Sequence, residues 1–263
     1  MNTGESTDPA VTDDRTAAGE TVDPAAAVDP GKGAEAQTRR RPWETYVKDL
    51  NFYMLFWVFM IGSLLGFVVE GFECIHRFGE WQNHVGVLWG PLCIIYGFGA
   101  VVIYVASHLM KSRPIWLQFI IFTVAGGAVE YFGSLFQEVF FGAETWNYQY
   151  EPDHIGNRIT VRMAIEWGIL GIAFALLIYP LFKKLLRKMN NLPCFILTWV
   201  LVVFMAVNLT ATCIAVYRWG ERQVGHEPKT KIGALFDEHY GDERMQSIFV
   251  NMNFEPKHAK EAE

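Results

Sequence analysis

The chain has 263 residues, 51% of them apolar and 15% aromatic. That excess of large apolar side chains excludes a fold with the polar surface of an ordinary soluble domain. Its net charge is −6 and its four cysteines (Cys74, Cys93, Cys194 and Cys213) show neither a CxxC pair nor zinc-finger spacing; no nucleic acid, metal or cofactor is expected, and the cysteines read as small packing residues.

The opening stretch "MNTGESTDPAVTDDRTAAGETVDPAAAVDPGKGAEAQT" carries much of the acid and almost no bulky apolar side chain. It cannot bury enough surface to offset chain entropy, so residues 1–41 are expected to be a disordered, acidic, cytoplasmic tail. No apolar core follows an early basic region, so it is not read as a signal peptide. Five runs then lack Asp, Glu, Lys and Arg: 52–69, 85–107, 114–129, 167–182 and 192–217. Each approaches the ~20 residues that cross ~30 Å of hydrocarbon, the third and fourth by taking in Glu130 and Glu166. They are apolar all round, where helices of a soluble bundle keep a polar face. The prediction is an all-α polytopic membrane protein with five transmembrane helices within 42–218, the last a span rather than a re-entrant loop. A C-terminal tail follows over 219–263.

Arg39, Arg40, Arg41 and Lys48 precede the first helix, Lys111 and Arg113 separate the second and third, and Lys183, Lys184, Arg187 and Lys188 follow the fourth. Alternating spans put these on one side, which the positive-inside rule makes cytoplasmic; the expectation is a multi-pass plasma-membrane protein with its N-terminus inside. The tail then lies outside despite Arg218, Arg222, Lys229 and Lys231. Its alternation of charge with Phe236, Met245, Ile248, Phe249 and Phe254 predicts a short amphipathic helix lying against the membrane or over the mouth of an outer cavity.

Two stretches repeat. "GFVVEGF" (Gly66–Phe72) in the first helix matches "GGAVEYF" (Gly126–Phe132) in the third, each followed by a polar aromatic loop and then a Trp-Gly pair, Trp89-Gly90 and Trp167-Gly168. A duplicated two-helix unit with one added helix is predicted, its copies sharing one membrane orientation and related by an axis along the membrane normal. Glu70 and Glu130 are then equivalent positions.

A carboxylate facing lipid costs several kcal/mol, so such groups face a bundle interior or water and find partners. Glu130, Ser134 and Glu138 recur at i, i+4 and i+8, Glu73 follows Glu70 by three, and Glu166 enters from the outer end of the fourth helix. The binding site expected from this is an outward-facing polar cavity bordered by Glu70, Glu130, Glu166, Arg158, Trp89, Trp146 and Tyr148. The plainer reading is an ion-pair lock between helices with an interfacial aromatic belt. Arg162, His76, Arg77 and His84 are further partners within reach. Pro91 reads as first-turn proline if the second helix starts near Trp89 and as a kink if it starts earlier. Asn208, Thr210 and Thr212 read as interhelical hydrogen-bonding groups.

With "GSLLGFVVEGFE", "VGVLWGPLCIIYGFGA", "VEYFGSLFQEVFFGAETWNYQYEPDHIGNRI" and "IEWGILG" in view, residues 52–218 resemble the family of bacterial integral membrane proteins named "Putative ABC-transporter type IV". The resemblance implies a permease. Where the family pattern has Asn-Arg-Gly this chain has Asn83-His84-Val85-Gly86; for Trp-Trp-Asp-Tyr it has Thr145-Trp146-Asn147-Tyr148; and for Gly-Arg-Ile it has Gly156-Asn157-Arg158-Ile159. A transport component receiving a small polar or cationic solute is the leading expectation. It has no Walker A pattern, so an ATP-driven version needs a separate ATPase on the short basic loops; a homodimer is a further expectation. The alternatives are a membrane-embedded enzyme using paired carboxylates on an envelope or lipid-linked substrate, and a non-catalytic assembly or stress factor.

Overall fold

Asn51 opens the first helix by accepting the Met54 N–H on its side chain (2.9 Å), and Gly79, left-handed at φ 80°, closes it by donating its N–H to the Ile75 carbonyl. A computed structural model describes residues 50–189 and 191–254; the expected acidic tail, 1–41, lies outside the described residues. The helices are α1 (Phe52–Phe78), α2 (Ile94–Met110), α3 (Ile115–Phe141), α4 (Val161–Ala173), α5 (Tyr179–Lys188), α6 (Leu192–Gln223), α7 (Lys231–His239) and α8 (Asp242–Ile248). Two-residue strands β1 (Ala143–Glu144), β2 (His154–Ile155), β3 (Ile159–Thr160) and β4 (Asn253–Phe254) fasten the loops. A π-helical turn, Phe174–Ile178, joins α4 to α5, so that Val161–Lys188 runs on as a single rod.

Among the described residues four rods are long and apolar enough to cross a membrane: Phe52–Phe78, Ile115–Phe141, Val161–Lys188 and Leu192–Gln223. No more than 28% of any of their apolar windows is buried, so most of this apolar surface faces outward, as lipid-solvated helices require. The last rod is unbroken from Leu192 to Gln223, a span and not a re-entrant pair.

The second predicted helix needs correction. Only Ile94–Met110 of the 85–107 run is helical, and Val85–Cys93 is an irregular segment containing Gly90 at φ 95°. Pro91 therefore stands before the helix, neither in its first turn nor at a kink. Irregular backbone at membrane depth is tolerated only when its polar groups find protein partners. Here Asn208 of α6 accepts the Trp89 N–H (3.2 Å) and donates to the Trp89 carbonyl (2.7 Å), while Thr212 accepts the Leu88 N–H (3.0 Å). The segment also ties to itself through Gly86 N–H to Leu92 C=O, and to α1 through Cys93 N–H to Ser63 C=O. Asn208 and Thr212 thus serve a loop, not another helix; Thr210 is exposed and bonds back to Ala206 of its own helix.

The duplicated unit is visible as packing. In the first hairpin, α1 meets α2 where the Ser63 hydroxyl and the Phe59 ring press on Gly97 and where Gly66 lies under Tyr96. In the second, α3 meets α4 where Thr123 and Phe119 press on Gly168 and Gly126 lies under Trp167. The paired residues on α1 and α3 are all sixty apart, and those on α2 and α4 seventy-one apart. The equivalent of Trp167-Gly168 is therefore Tyr96-Gly97, and not the Trp89-Gly90 pair that the sequence pattern suggested. Among the described residues neither the Ser63 nor the Thr123 hydroxyl has a hydrogen-bond partner; each sits against the glycine of the facing helix, where a weak Cα–H···O contact is the available interaction.

The core below the hairpins gathers Met54, Val58, Ile103, Tyr104, Phe122, Trp167, Phe174, Phe182 and Leu186. A second cluster lies at the opposite end. The predicted amphipathic tail is two short helices and a strand rather than one helix: Met245, Phe249 and Met252 pack on Ala211, Ala215, Val216 and Trp219 of α6, β4 pairs antiparallel with β1, and Phe249 bridges to His84. Arg218 and Arg222 of α6 hold this cap. Arg218 grips Asp237 through Nη2 (2.6 Å) and Nε (3.2 Å), and Arg222 pairs with both Asp237 and Asp242.

Burial acts to raise the Asp237 carboxyl, but hydrogen bonds from Arg218 and Arg222 outweigh it and hold the group below its ordinary value. A carboxyl depressed on folding stabilises the cap fully above its unfolded pKa of ~3.9, and that stabilisation disappears as pH falls through the lower folded value. Arg218→Met is expected to weaken cap docking by about 2 kcal/mol, because it removes the charged hydrogen bonds to Asp237 while Arg222 still pairs with that carboxylate. Limited proteolysis between Val224 and Thr230 measures this, and unchanged cleavage would contradict it.

Candidate functional site

The two hairpins each deliver one carboxylate to the end of the bundle where α1 and α3 finish, and each carboxylate sits in a socket of two donors. Glu70 accepts from the Tyr96 hydroxyl on Oε2 (2.7 Å) and from His84 Nδ1 on Oε1 (3.0 Å). Glu130 accepts from the Trp167 indole N–H on Oε2 (2.8 Å) and from the Tyr148 hydroxyl on Oε1 (3.0 Å). The aromatic donor comes from the second helix of each hairpin, over Gly66 or Gly126, and the other donor comes from the intervening loop. Tyr96 and Trp167 touch, ring centroids 6.1 Å apart, so the two sockets meet through an aromatic pair.

The copies are not chemically identical. Glu70 keeps 27% of its side chain exposed and faces an imidazole that is itself tied to the cap, with Asn251 Nδ2 2.7 Å from His84 Nε2. Glu130 is 6% exposed and its donors are neutral. Burial and then the charge of Glu130 push the Tyr148 phenol above its ordinary range, so its hydroxyl keeps its proton to donate.

Loop geometry explains how Tyr148 and Arg158 arrive. Strands β2 and β3 are joined by a turn in which Gly156 (φ 59°) and Asn157 (φ 61°) are both left-handed, with Arg158 N–H donating to the Ile155 carbonyl. Two left-handed central residues define the I′ turn that suits a tight hairpin, and Gly-Asn tolerates it. The extra residue relative to the Gly-Arg-Ile pattern is therefore what completes the turn. It aims Arg158 at Glu138, with which it pairs, while the Asn157 carbonyl holds the Tyr148 N–H (2.9 Å) and the Arg158 carbonyl accepts the Trp146 indole N–H (3.0 Å). Asp153 fastens the start of α4, accepting from the Val161 and Arg162 N–H groups.

Of the residues expected at the site, Glu130, Tyr148, Trp146 and Arg158 come together around one loop, with Glu70 across the Tyr96–Trp167 pair. Glu166 does not join them: its side chain is 56% exposed and faces Arg162 one turn away (3.7 Å). Trp89 is half-exposed and engages Asn208 through its backbone alone. Glu73 pairs with Arg77 at the surface. Tyr96 and Trp167 are site residues beyond those the sequence pattern singles out for binding; the signal for both is an aromatic-Gly dipeptide in the helix that follows each carboxylate. A groove of about 490 Å³ opens between α2 and α3, but Phe98, Val102, Ala125, Val129 and Gly133 make it apolar, and it holds no carboxylate. Among the described residues no group of three His, Cys, Asp or Glu side chains is placed to hold a metal.

Residues 57–213 match the family described as "Putative ABC-transporter type IV". No curated protein and no solved structure matches the chain.

Proposed function

Because the chain belongs to this ABC-transporter type IV family, we propose that it is the membrane-spanning component of a transport system and that its Glu70 and Glu130 sockets form the polar centre where a small solute engages. The observation that supports this is the pair of equivalent carboxylates, each held at the same end of the bundle by two donors. A purely structural ion-pair lock would place a cation on Glu130, and Arg158 is instead committed to Glu138.

In this reading the short-turn end, with Lys111, Arg113, Lys183, Lys184, Arg187 and Lys188, lies in the cytoplasm by the positive-inside rule, and the carboxylates and cap lie outside. Any driving ATPase docks on the basic short-turn end as a separate subunit. Glu166 and Trp89 serve at the rim rather than at the centre of the site. Glu130→Gln and Glu70→Gln are each expected to reduce solute flux into reconstituted vesicles at least tenfold while leaving thermal unfolding within about 1 kcal/mol, since the amide keeps the shape and an acceptor oxygen. Flux of both variants equal to wild type would reject the reading. Copurification of an ATPase that is released by reversing the charges of Lys183 and Lys184 tests the docking side.

A further inference from the structure

The Glu130 socket is built for two charge states. Its two oxygens are approached by unlike donors: the Trp167 indole N–H, which can only donate, and the Tyr148 hydroxyl, which can donate or accept by rotating about its C–O bond. The remaining charged groups that bear on it are Glu70 from α1 and Glu166 from α4, both acidic, and Arg158, on the same loop as Tyr148, is paired with Glu138. Tyr96 of α2 faces it across the Trp167 ring. Among the described residues no Lys, Arg or His forms an ion pair with Glu130. The socket is also closely filled: a methyl group on Gly126 would stand 2.6 Å from Trp167 Cβ, and Ser134, one turn on, is buried. A buried carboxylate in a membrane bundle needs its charge offset by partners or by a bound proton, and a proton adds no volume to a socket packed this closely.

We infer that Glu130 is a proton-exchanging site, with Tyr148 as the relay between it and water at the loop end. Tyr148 lies between the exposed Asn147 and Gln149 and is itself part-exposed, and its hydroxyl donates to Glu130 Oε1 (3.0 Å). On uptake the hydroxyl proton passes to Oε1 as the tyrosine oxygen gains a proton from hydronium, which leaves as water. The net change is one proton added to the carboxylate and none to the tyrosine. The tyrosine oxygen is then already placed to accept from the protonated carboxyl, its new hydrogen lying on the water side, and release runs the same steps backwards. Trp167 keeps donating to Oε2 throughout, which fixes the carboxyl in place. The equivalent Glu70 differs in having an imidazole partner, so the two copies divide the work: one exchanges a proton and the other holds a fixed link to the cap through His84. This inference deepens the transport reading by adding the ion that the site handles.

The test is infrared difference spectroscopy of the full chain in lipid vesicles stepped between neutral and acid pH, which reads protonated carboxyls directly and needs no flux. A carboxyl C=O band that grows on acidification is expected to be missing from Glu130→Gln and retained in Glu70→Gln. Trp167→Phe, which removes the donor on Oε2 without touching the acid, is expected to shift the band to higher frequency. Tyr148→Phe is expected to retain the band and slow its appearance after a pH jump several-fold. A band unchanged in Glu130→Gln, or unmoved by Trp167→Phe, overturns the assignment, and an unslowed Tyr148→Phe overturns the relay. A band assigned to Glu130 in vesicles that carry no solute flux would uphold proton exchange and reject the transport reading; flux without the band would do the reverse.

Discussion

Asn208→Leu is expected to destabilise the protein by about 2–6 kcal/mol. The side chain is fully buried and serves both the N–H and the C=O of Trp89. Leucine fills a similar volume, so packing loss is minor and the cost comes from two backbone groups left without partners at membrane depth, each worth ~1–3 kcal/mol. The Val85–Cys93 segment has no helical bonds to fall back on, and its release should expose Cys93. Two measurements check this: the midpoint of thermal unfolding in detergent, and the rate at which a maleimide labels Cys93. Thr212→Val removes one acceptor, that for Leu88, and should give roughly half the effect. Thr210→Val lies on the exposed face and should give none. Equal behaviour of all three would show that α6 contributes polarity in general and not partners for one loop.

Gly126→Val is expected to cost about 3 kcal/mol, the upper end of overpacking penalties. The added Cβ would stand 2.6 Å from both Cβ and Cγ of Trp167. Those atoms lie next to the backbone and cannot swing aside, so α3 and α4 must separate or Trp167 must leave its rotamer. Either movement withdraws the indole N–H from Glu130. The variant should therefore lose stability and also the Trp167 fluorescence signature of a hydrogen-bonded, buried indole. Gly133→Ala makes the comparison sharp. Its new Cβ meets the terminal Ile95 Cδ1 at 2.7 Å, a flexible tip that can rotate away, and the expected loss is below about 1 kcal/mol. If both substitutions proved equally mild, the close approach of the helices at Gly126 would not be what positions the donor.

Much of this architecture was legible because charge is so costly in lipid that its absence marks the spans. The ends of α1, α3 and α6 follow from Asn51, Gly79, Gly142 and Asn191, which are ordinary caps. The carboxylates stood out for the same reason, and the "GFVVEGF" and "GGAVEYF" match gave their equivalence. The start of α2 was not legible. Val85–Cys93 carries no charge, so composition cannot separate a helix from an extended segment whose backbone bonds are supplied by residues more than a hundred positions away. That error carried the repeat out of register, because Trp89-Gly90 resembles Trp167-Gly168 in composition whereas Tyr96-Gly97 resembles it in packing. Glu166 was misplaced for a related reason. It follows Ile165 on a helix whose buried stripe runs through Trp167, Gly168 and Gly171, so its own direction is outward. The compact fold of the tail depended on Arg218 and Arg222 meeting Asp237, a pairing that charge alternation alone does not specify.

Each hairpin fills its own glycine notch and supplies its carboxylate with its own aromatic and its own loop donor. Neither carboxylate takes its two donors from the other half; the halves meet through the tilted Tyr96–Trp167 ring pair and through α2 against α3, where Ile95 packs on Gly133. Such a layout is what fusion of two once-separate copies leaves behind, and it frees each copy to diverge. Imidazole in one socket and phenol in the other are that divergence, written into an arrangement whose packing stayed the same.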